Sequence, residues 1–332
     1  MSLRGAVLGL GQIGRHHARL LQTSERVEFV GAVDTAGDPY DAVRDAAPIY
    51  ASTAELLAAG PLDFAIVALP TAEHLPAVST LAEAGVNVLV EKPVAGSVVE
   101  AEELIAACDR AGVKAAVGHV ERFNPALREL RRRMGEGQLG EIFLIATERV
   151  GPFPDRVRDV GVVMDLATHD LDLVGWLAGE PIESLAAQAS HRMGRPHEDL
   201  VSIVGRVHGG TIFASVVDRV TPTKVRRTRV VGEKGMLLAD TLSADLTFYE
   251  NAHVASEWER AQDLRGVAEG DTVRYALAKR EPLLVELEGF LDWLERGEIA
   301  NVVTVDEGLA AVRYAEAALR SAESGETVHL EP

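Results

Sequence analysis

Near the start of the chain, Gly9, Gly11 and Gly14 fall in the run Val7-Leu8-Gly9-Leu10-Gly11-Gln12-Ile13-Gly14, between a short apolar stretch and a helical pattern. At this spacing Gly9 permits a tight turn out of a parallel strand. Gly11 lets the backbone approach a pyrophosphate, and Gly14 lets the next helix pack closely on the strand. The helix N-terminus, with Gln12 and Ile13 in the same loop, favours the anion. A second apolar run, Glu28-Phe29-Val30-Gly31-Ala32-Val33, ends in Asp34, about 20 residues further on, where a carboxylate can accept both ribose hydroxyls of an adenosine. Strand, glycines, helix and acid in this order predict a dinucleotide cofactor. Thr35-Ala36-Gly37-Asp38 has no arginine or lysine to receive a 2′-phosphate, so NAD is expected over NADP.

Two other places hold residues suited to proton and hydride chemistry. Glu91-Lys92-Pro93 follows directly on the apolar run 86–90. Ligands of an open parallel sheet lie beyond the carboxyl ends of its strands, so Lys92 stands where a nicotinamide and a substrate would meet, with Glu91 as a ribose contact. Pro93 restricts the lysine backbone and could introduce a cis bond. An exposed lysine at a strand end fits the same residues. The run 164–177 has helical spacing that sets Asp165, His169, Asp172 and Trp176 on one face and Leu166, Leu173 and Leu177 on another. A histidine beside a carboxylate titrates near neutral pH and can take a proton from a hydroxyl. A solvated face with a chance His–Asp pair explains that pattern equally well. No second histidine lies at ligand spacing on this helix, so no metal is expected.

Arg149, Arg156 and Arg158 flank Gly151-Pro152-Phe153-Pro154, the loop that leads into the same helix. Guanidinium groups suit phosphate, and at least one of the three is expected to meet substrate. His16 and His17 are read as packing or surface residues, while His191 and His197 carry no distinguishing signal.

The elements that must position these groups are legible in the pattern. Strands are expected near 4–9, 28–33, 64–69, 86–91 and 114–118, alternating with helices near 12–23, 53–58, 73–84 and 97–111, which means a parallel α/β unit. Ser52 with Glu55, and Ser97 with Glu100, have capping-box spacing. From about residue 141 the pattern changes to longer strands at 142–150, 182–191, 200–208, 211–220, 225–231 and 246–249, with Gly209-Gly210 as a hairpin turn. This second half reads as a large, mostly antiparallel sheet. Such a sheet, apolar on its open face, commonly finds a partner subunit, so a homodimer or homotetramer is expected through it. Two helices close the chain near 283–296 and 306–323, and Gly266–Asp271 is the candidate mobile loop.

At 332 residues the chain exceeds what one core usually serves, so domains are expected at 1–120 and 121–332, with the last helix packing back on the first. A net charge of −18 argues against nucleic acid and against an anionic membrane as partners. No run is long enough to cross a membrane, and no basic segment precedes a long apolar one. The single cysteine, Cys108, excludes internal disulfides and suits a reducing cytoplasm.

Taken together, Gly9-x-Gly11-x-x-Gly14, the strand and turn Asp63–Pro70 followed by His74, Glu91-Lys92-Pro93 and Asp165-x-x-x-His169 resemble the Gfo/Idh/MocA family of nicotinamide-dependent oxidoreductases over nearly the whole length. The resemblance implies an N-terminal Rossmann domain and a C-terminal α/β domain on a mostly antiparallel sheet. It implies that Lys92 and His169 take the catalytic positions, with Asp165 as the supporting acid, and that Leu69, Pro70 and His74 lie at the cofactor. Leu69-Pro70-Thr71 departs from the Thr-Pro of many relatives by losing a hydroxyl. Gly118–Pro125 and the 151–154 loop are similar to members that oxidise nucleotide sugars such as UDP-N-acetylglucosamine, at C3. That similarity makes His119, Arg122, Asn124, Arg156 and Arg158 substrate contacts. A polyol, inositol or free-sugar dehydrogenase is the alternative within the family, and a non-catalytic NAD-binding sensor is the alternative outside it.

Overall fold

The computed structural model describes residues 2–153, 160–251 and 269–331. They form two compact units, one of Met1–Val120 with Leu283–Arg313 and one of Glu121–Pro282 with Tyr314–Pro332. The expected second domain is therefore not one continuous stretch, since residues 283–313 group with the first. The α-helices among the described residues are α1 (Gly14–Thr23), α2 (Thr53–Ala59), α3 (His74–Glu83), α4 (Val98–Ala111), α5 (Pro125–Gly135), α6 (Thr168–Ala178), α7 (Pro282–Arg296) and α8 (Val305–Ser324).

In the first unit, β1 (Leu3–Leu8), β2 (Val27–Val33), β3 (Ile49–Tyr50), β4 (Phe64–Val67), β5 (Asn87–Glu91) and β6 (Ala115–Gly118) make a parallel sheet in the order β3-β2-β1-β4-β5-β6. All residues of β4 and β6 are buried, as expected of strands covered on both faces. The order reverses between β1 and β4, which opens a crevice at the carboxyl ends of the strands. Ser52 Oγ accepts the Glu55 N–H at 3.3 Å and Ser97 Oγ the Glu100 N–H at 3.2 Å, so both capping boxes start their helices where the spacing predicts. Helix α7 adds Leu283, Leu287, Phe290 and Leu291 to a core with Val7, Leu10, Leu21 and Phe64. Cys108 is buried, and burial pushes its thiol up to about 11.

The second unit is built on nine strands: β7 (Ile142–Val150), β8 (Ile182–Ser190), β9 (Leu200–Val207), β10 (Ile212–Asp218), β11 (Val225–Gly232), β12 (Gly235–Asp240), β13 (Asp245–Asn251), β14 (Glu269–Tyr275) and β15 (Val328–His329). Their order is β14-β13-β12-β11-β7-β10-β9-β8-β15, and every pairing is antiparallel except β7 with β10. Gly210, at φ +89°, closes the β9–β10 hairpin as its sequence predicts. Along β10, Phe213, Ser215 and Val217 are buried, whereas Ile212 and Val216 on the other face are exposed.

The sequence pattern missed β3, β12, β14, β15 and α5. Of the candidate mobile loop, residues 269–271 belong to strand β14, and the remainder lies outside the described residues.

Candidate active site

The glycine loop of the first unit is shaped by close approach. Gly9 has φ +90°, and a Cβ there would lie 2.5 Å from the Ala68 carbonyl oxygen. A Cβ on Gly14 would come 1.9 Å from the Gly9 carbonyl oxygen, so only glycine lets α1 start against the end of β1. At Gly11, by contrast, a Cβ would meet no atom within 4 Å, which leaves the backbone open to a ligand. Asp34 Oδ2 accepts the Leu10 N–H at 2.7 Å and Oδ1 the Ala36 N–H at 2.8 Å. Each of these oxygens keeps a second lone pair, so the acid that fixes the loop can also accept ribose hydroxyls. Ile13 is partly buried where α1 begins, and the exposed Gln12 donates its amide to the Tyr40 hydroxyl at 2.8 Å. The residues present fit a dinucleotide.

Tyr40 also lines a cavity of about 330 Å³ together with Arg15, Arg19 and Arg44, and the Arg15 guanidinium lies 4.5 Å above its ring. These arginines come from α1 and from beyond residue 38, outside the stretch that the sequence reading took as decisive for the 2′-position.

At the end of β5, the Lys92–Pro93 bond is cis and Lys92 is partly buried. Its backbone is held from two sides. Glu91 Oε2 accepts the Lys92 N–H at 3.3 Å, and His74 Nδ1 meets the carbonyls of Pro93 and Val94 at 3.1 and 3.3 Å. His74 Nε2 meets the Leu69 carbonyl at 3.0 Å, while Pro70 beside it is exposed. Burial lowers the basicity of His74, which is 1% exposed.

Three of the expected site residues are buried here. His74 ties the turn after β4 to the Lys92 turn. Glu91 is buried with its Oε1 2.7 Å from His17 Nε2. His119, expected at the substrate, is 1% exposed.

In the second unit, 163–167 form a π-helical turn that leads directly into α6 and shifts side-chain register relative to one continuous α-helix. The expected polar face is divided accordingly. Asp165 pairs with Arg219, just past β10. The Arg219 side chain is 3% exposed and that of Asp165 27%, so a buried cation holds a carboxylate that still reaches solvent. Burial pulls the Arg219 guanidinium down against the opposing pull of Asp165. His169, partly buried, lies one turn beyond Asp165.

Asp172 instead takes a bidentate pair from Arg122, at 2.8 and 2.6 Å. Asp170 accepts from Arg149 Nε at 2.6 Å, and Arg149 Nη1 donates to Glu121 at 2.9 Å. Asn124 caps α5, accepting the Ala126 N–H at 3.0 Å and donating to the Thr241 carbonyl at 3.1 Å. Arg122, Asn124 and Arg149 are thus buried and internally bonded, each satisfying a group that burial would otherwise leave unmet. Arg156 and Arg158 lie outside the described residues. Arg219 was missed because its partner stands 54 residues away in the chain, beyond any local pattern.

Known proteins resemble this chain along both units. The family model described as an oxidoreductase family with an NAD-binding Rossmann fold matches residues 3–119, and the C-terminal alpha/beta domain of the same oxidoreductase family matches residues 131–330. The chain is 28% identical over 319 residues to the UDP-N-acetylglucosamine 3-dehydrogenase of Acidithiobacillus ferrooxidans, covering 96% of each. It is 25% identical over 340 residues to an inositol 2-dehydrogenase of Rhizobium meliloti, covering 97% of each. A solved structure of the Acidithiobacillus ferrooxidans enzyme, GnnA, superposes with a TM-score of 0.83 at 25% identity over 98% of both chains. With the glycine loop, Asp34 and the two sheets matched by both family models, the chain belongs to the Gfo/Idh/MocA family of oxidoreductases, and its cofactor is NAD.

Proposed function

We propose that this enzyme oxidises a carbinol carbon of a nucleotide sugar, with UDP-N-acetylglucosamine oxidised at C3 as the leading candidate. Similarity to UDP-N-acetylglucosamine 3-dehydrogenase along 96% of both chains carries the reading. NAD, when bound, supplies the hydride acceptor. His169 removes the hydroxyl proton, and its position one turn from an acid fixed by Arg219 favours the imidazolium that results. Lys92 hydrogen-bonds the same oxygen and stabilises its developing negative charge. Asp165 orients His169 or the sugar.

A second reading, oxidation of an inositol or another free polyol, gains support from a specific observation: Arg122 and Arg149, arginines suited to a phosphate, are spent on Asp172, Asp170 and Glu121. NADH formation against UDP-N-acetylglucosamine, other UDP-sugars, myo-inositol and glucose separates the two. Turnover of free inositol with none of any UDP-sugar would replace the first reading by the second.

We also propose that the open face of the nine-stranded sheet joins two or more copies of the chain. Cross-strand partners place Val204, Ile212 and Val216 on that face, each more than 40% exposed. Val204→Glu with Val216→Glu should yield monomers in light scattering, and an unchanged mass would refute the assignment.

A further inference from the structure

Helix α7 carries Glu286 into the core of the first unit, flanked by the buried Leu283, Leu287 and Phe290. Glu286 is 3% exposed, and neither of its carboxylate oxygens has a hydrogen-bond partner. A Glu286 oxygen, a Glu91 oxygen and His17 Nε2 lie within 4.8 Å of one another. Glu91 already engages His17 through Oε1 and the Lys92 N–H through Oε2. His17 Nδ1 is buried without a partner, which suits a neutral ring donating from Nε2, since an imidazolium would bury an unmet N–H. The cluster then contains two carboxylates and no side-chain cation. Two carboxylates so close in an apolar core do not both ionise, because each is costly to desolvate and repels the other. Burial first, and the Glu91 charge second, raise Glu286 well above the usual carboxylate range.

We propose that Glu286 is a neutral carboxylic acid at physiological pH, a positioning residue whose O–H serves the Glu91 carboxylate, directly or through one water, and so holds the Lys92–Pro93 turn. The positioning part rests on the reading of Lys92 as catalytic; the protonation part does not. Beside the His17 and Lys92 N–H groups, this O–H is a further donor that the geometry brings toward Glu91. His74 fixes the opposite side of the same turn through the Pro93 and Val94 carbonyls. The titratable groups facing Glu286 are Glu91, at the end of β5, and His17, on α1, and the Glu91 charge also acts on His74, on α3. A carboxyl raised in the folded state contributes stability that is present below its unfolded pKa and lost as pH rises through the folded pKa. The cluster should therefore weaken toward alkaline pH.

The test compares the full-length wild type with Glu286→Gln and Glu286→Ala between pH 5 and 9. Glutamine keeps a neutral donor and does not titrate. The wild-type Tm should fall relative to that of Glu286→Gln by several degrees as pH rises. At pH 7, Glu286→Gln should stay within about threefold of wild-type kcat while Glu286→Ala loses about tenfold, less than the ~100-fold cost of a full ångström of misplacement, and KM for NAD should move less than about twofold. Wild-type and Glu286→Gln melting curves that run parallel across the range would overturn the protonation. Stoichiometric Zn²⁺ binding by the wild type, absent in Glu286→Gln, would overturn it too, because the cluster would then hold a metal cation instead of a proton. If Lys92→Ala kept full activity, the catalytic reading of Lys92 would fall while the melting curves would still decide the charge on Glu286.

Discussion

The two units bury carboxylates in opposite ways. In the second, the acids around α6 meet guanidiniums: Asp170 and Glu121 share Arg149, Asp172 has Arg122 in a bidentate fork, and Asp165 has Arg219, while the buried Asp199 and Asp218 accept backbone N–H groups. In the first, Glu91 and Glu286 have only His17 between them. The difference shows two routes to the same end, since a buried anion is tolerated when a fixed cation pairs with it or when a proton removes its charge. The routes also suit different tasks. Ion pairs lock the helix that carries His169 in a fixed charge state, whereas the carboxylate cluster lies under the Lys92 turn and remains sensitive to pH.

The largest expected effect is therefore on stability, and it should differ in sign between the units. Arg149→Met removes the cation hydrogen-bonded to Asp170 and Glu121, leaving them the Arg226 charge without that hydrogen bonding, and should destabilise the second unit by about 3 kcal/mol in denaturant titrations, whereas Glu286→Gln should not destabilise the first at alkaline pH. Equal losses from both would erase the contrast. Next in size are the chemical roles. Lys92→Ala and His169→Ala should each lower kcat by about two orders of magnitude with NAD binding retained in calorimetry, and near-normal turnover in either would remove that residue from the mechanism.

A smaller effect concerns the cofactor. With Asp34 as the proposed ribose acceptor, NADP should bind at least about tenfold more weakly than NAD, because juxtaposed like charges cost more than the ~1.4 kcal/mol of one decade. Equal affinities would instead point to Arg15, Arg19 and Arg44 as phosphate receivers. The smallest effect concerns Asn124. Asn124→Ala removes a helix cap and should cost about 1 kcal/mol while leaving KM for the sugar unchanged, and a raised KM would return Asn124 to the substrate.

The element pattern is legible in the sequence where it is repetitive. The capping boxes at Ser52 and Ser97, the glycine hairpin and strand β7 lie where local spacing places them. Helix α5 had a signal that went unused, a capping Asn124 followed by Pro125 in the first helical turn. Strand β12 alternates buried and partly buried residues, but its sequence Gly-Met-Leu-Leu-Ala-Asp has no period-2 alternation in hydropathy, so the alternation arises from packing and not from composition.

By itself, the sequence determined what depends on near neighbours: the glycine loop with its acid, the alternation of strand and helix, and the placement of Lys92 at a strand end and of His169 one turn from Asp165. Only the tertiary structure decided which charged groups meet. Arg149 looked like a phosphate ligand and Arg122 like a substrate contact because their partners Asp170 and Asp172 stand 21 and 50 residues away. Glu286 looked like any polar residue on an amphipathic helix because Glu91 lies on another element altogether. The charge state and reach of a side chain are set by the partners and the solvent it loses on folding, and those partners come from segments that sequence spacing does not connect.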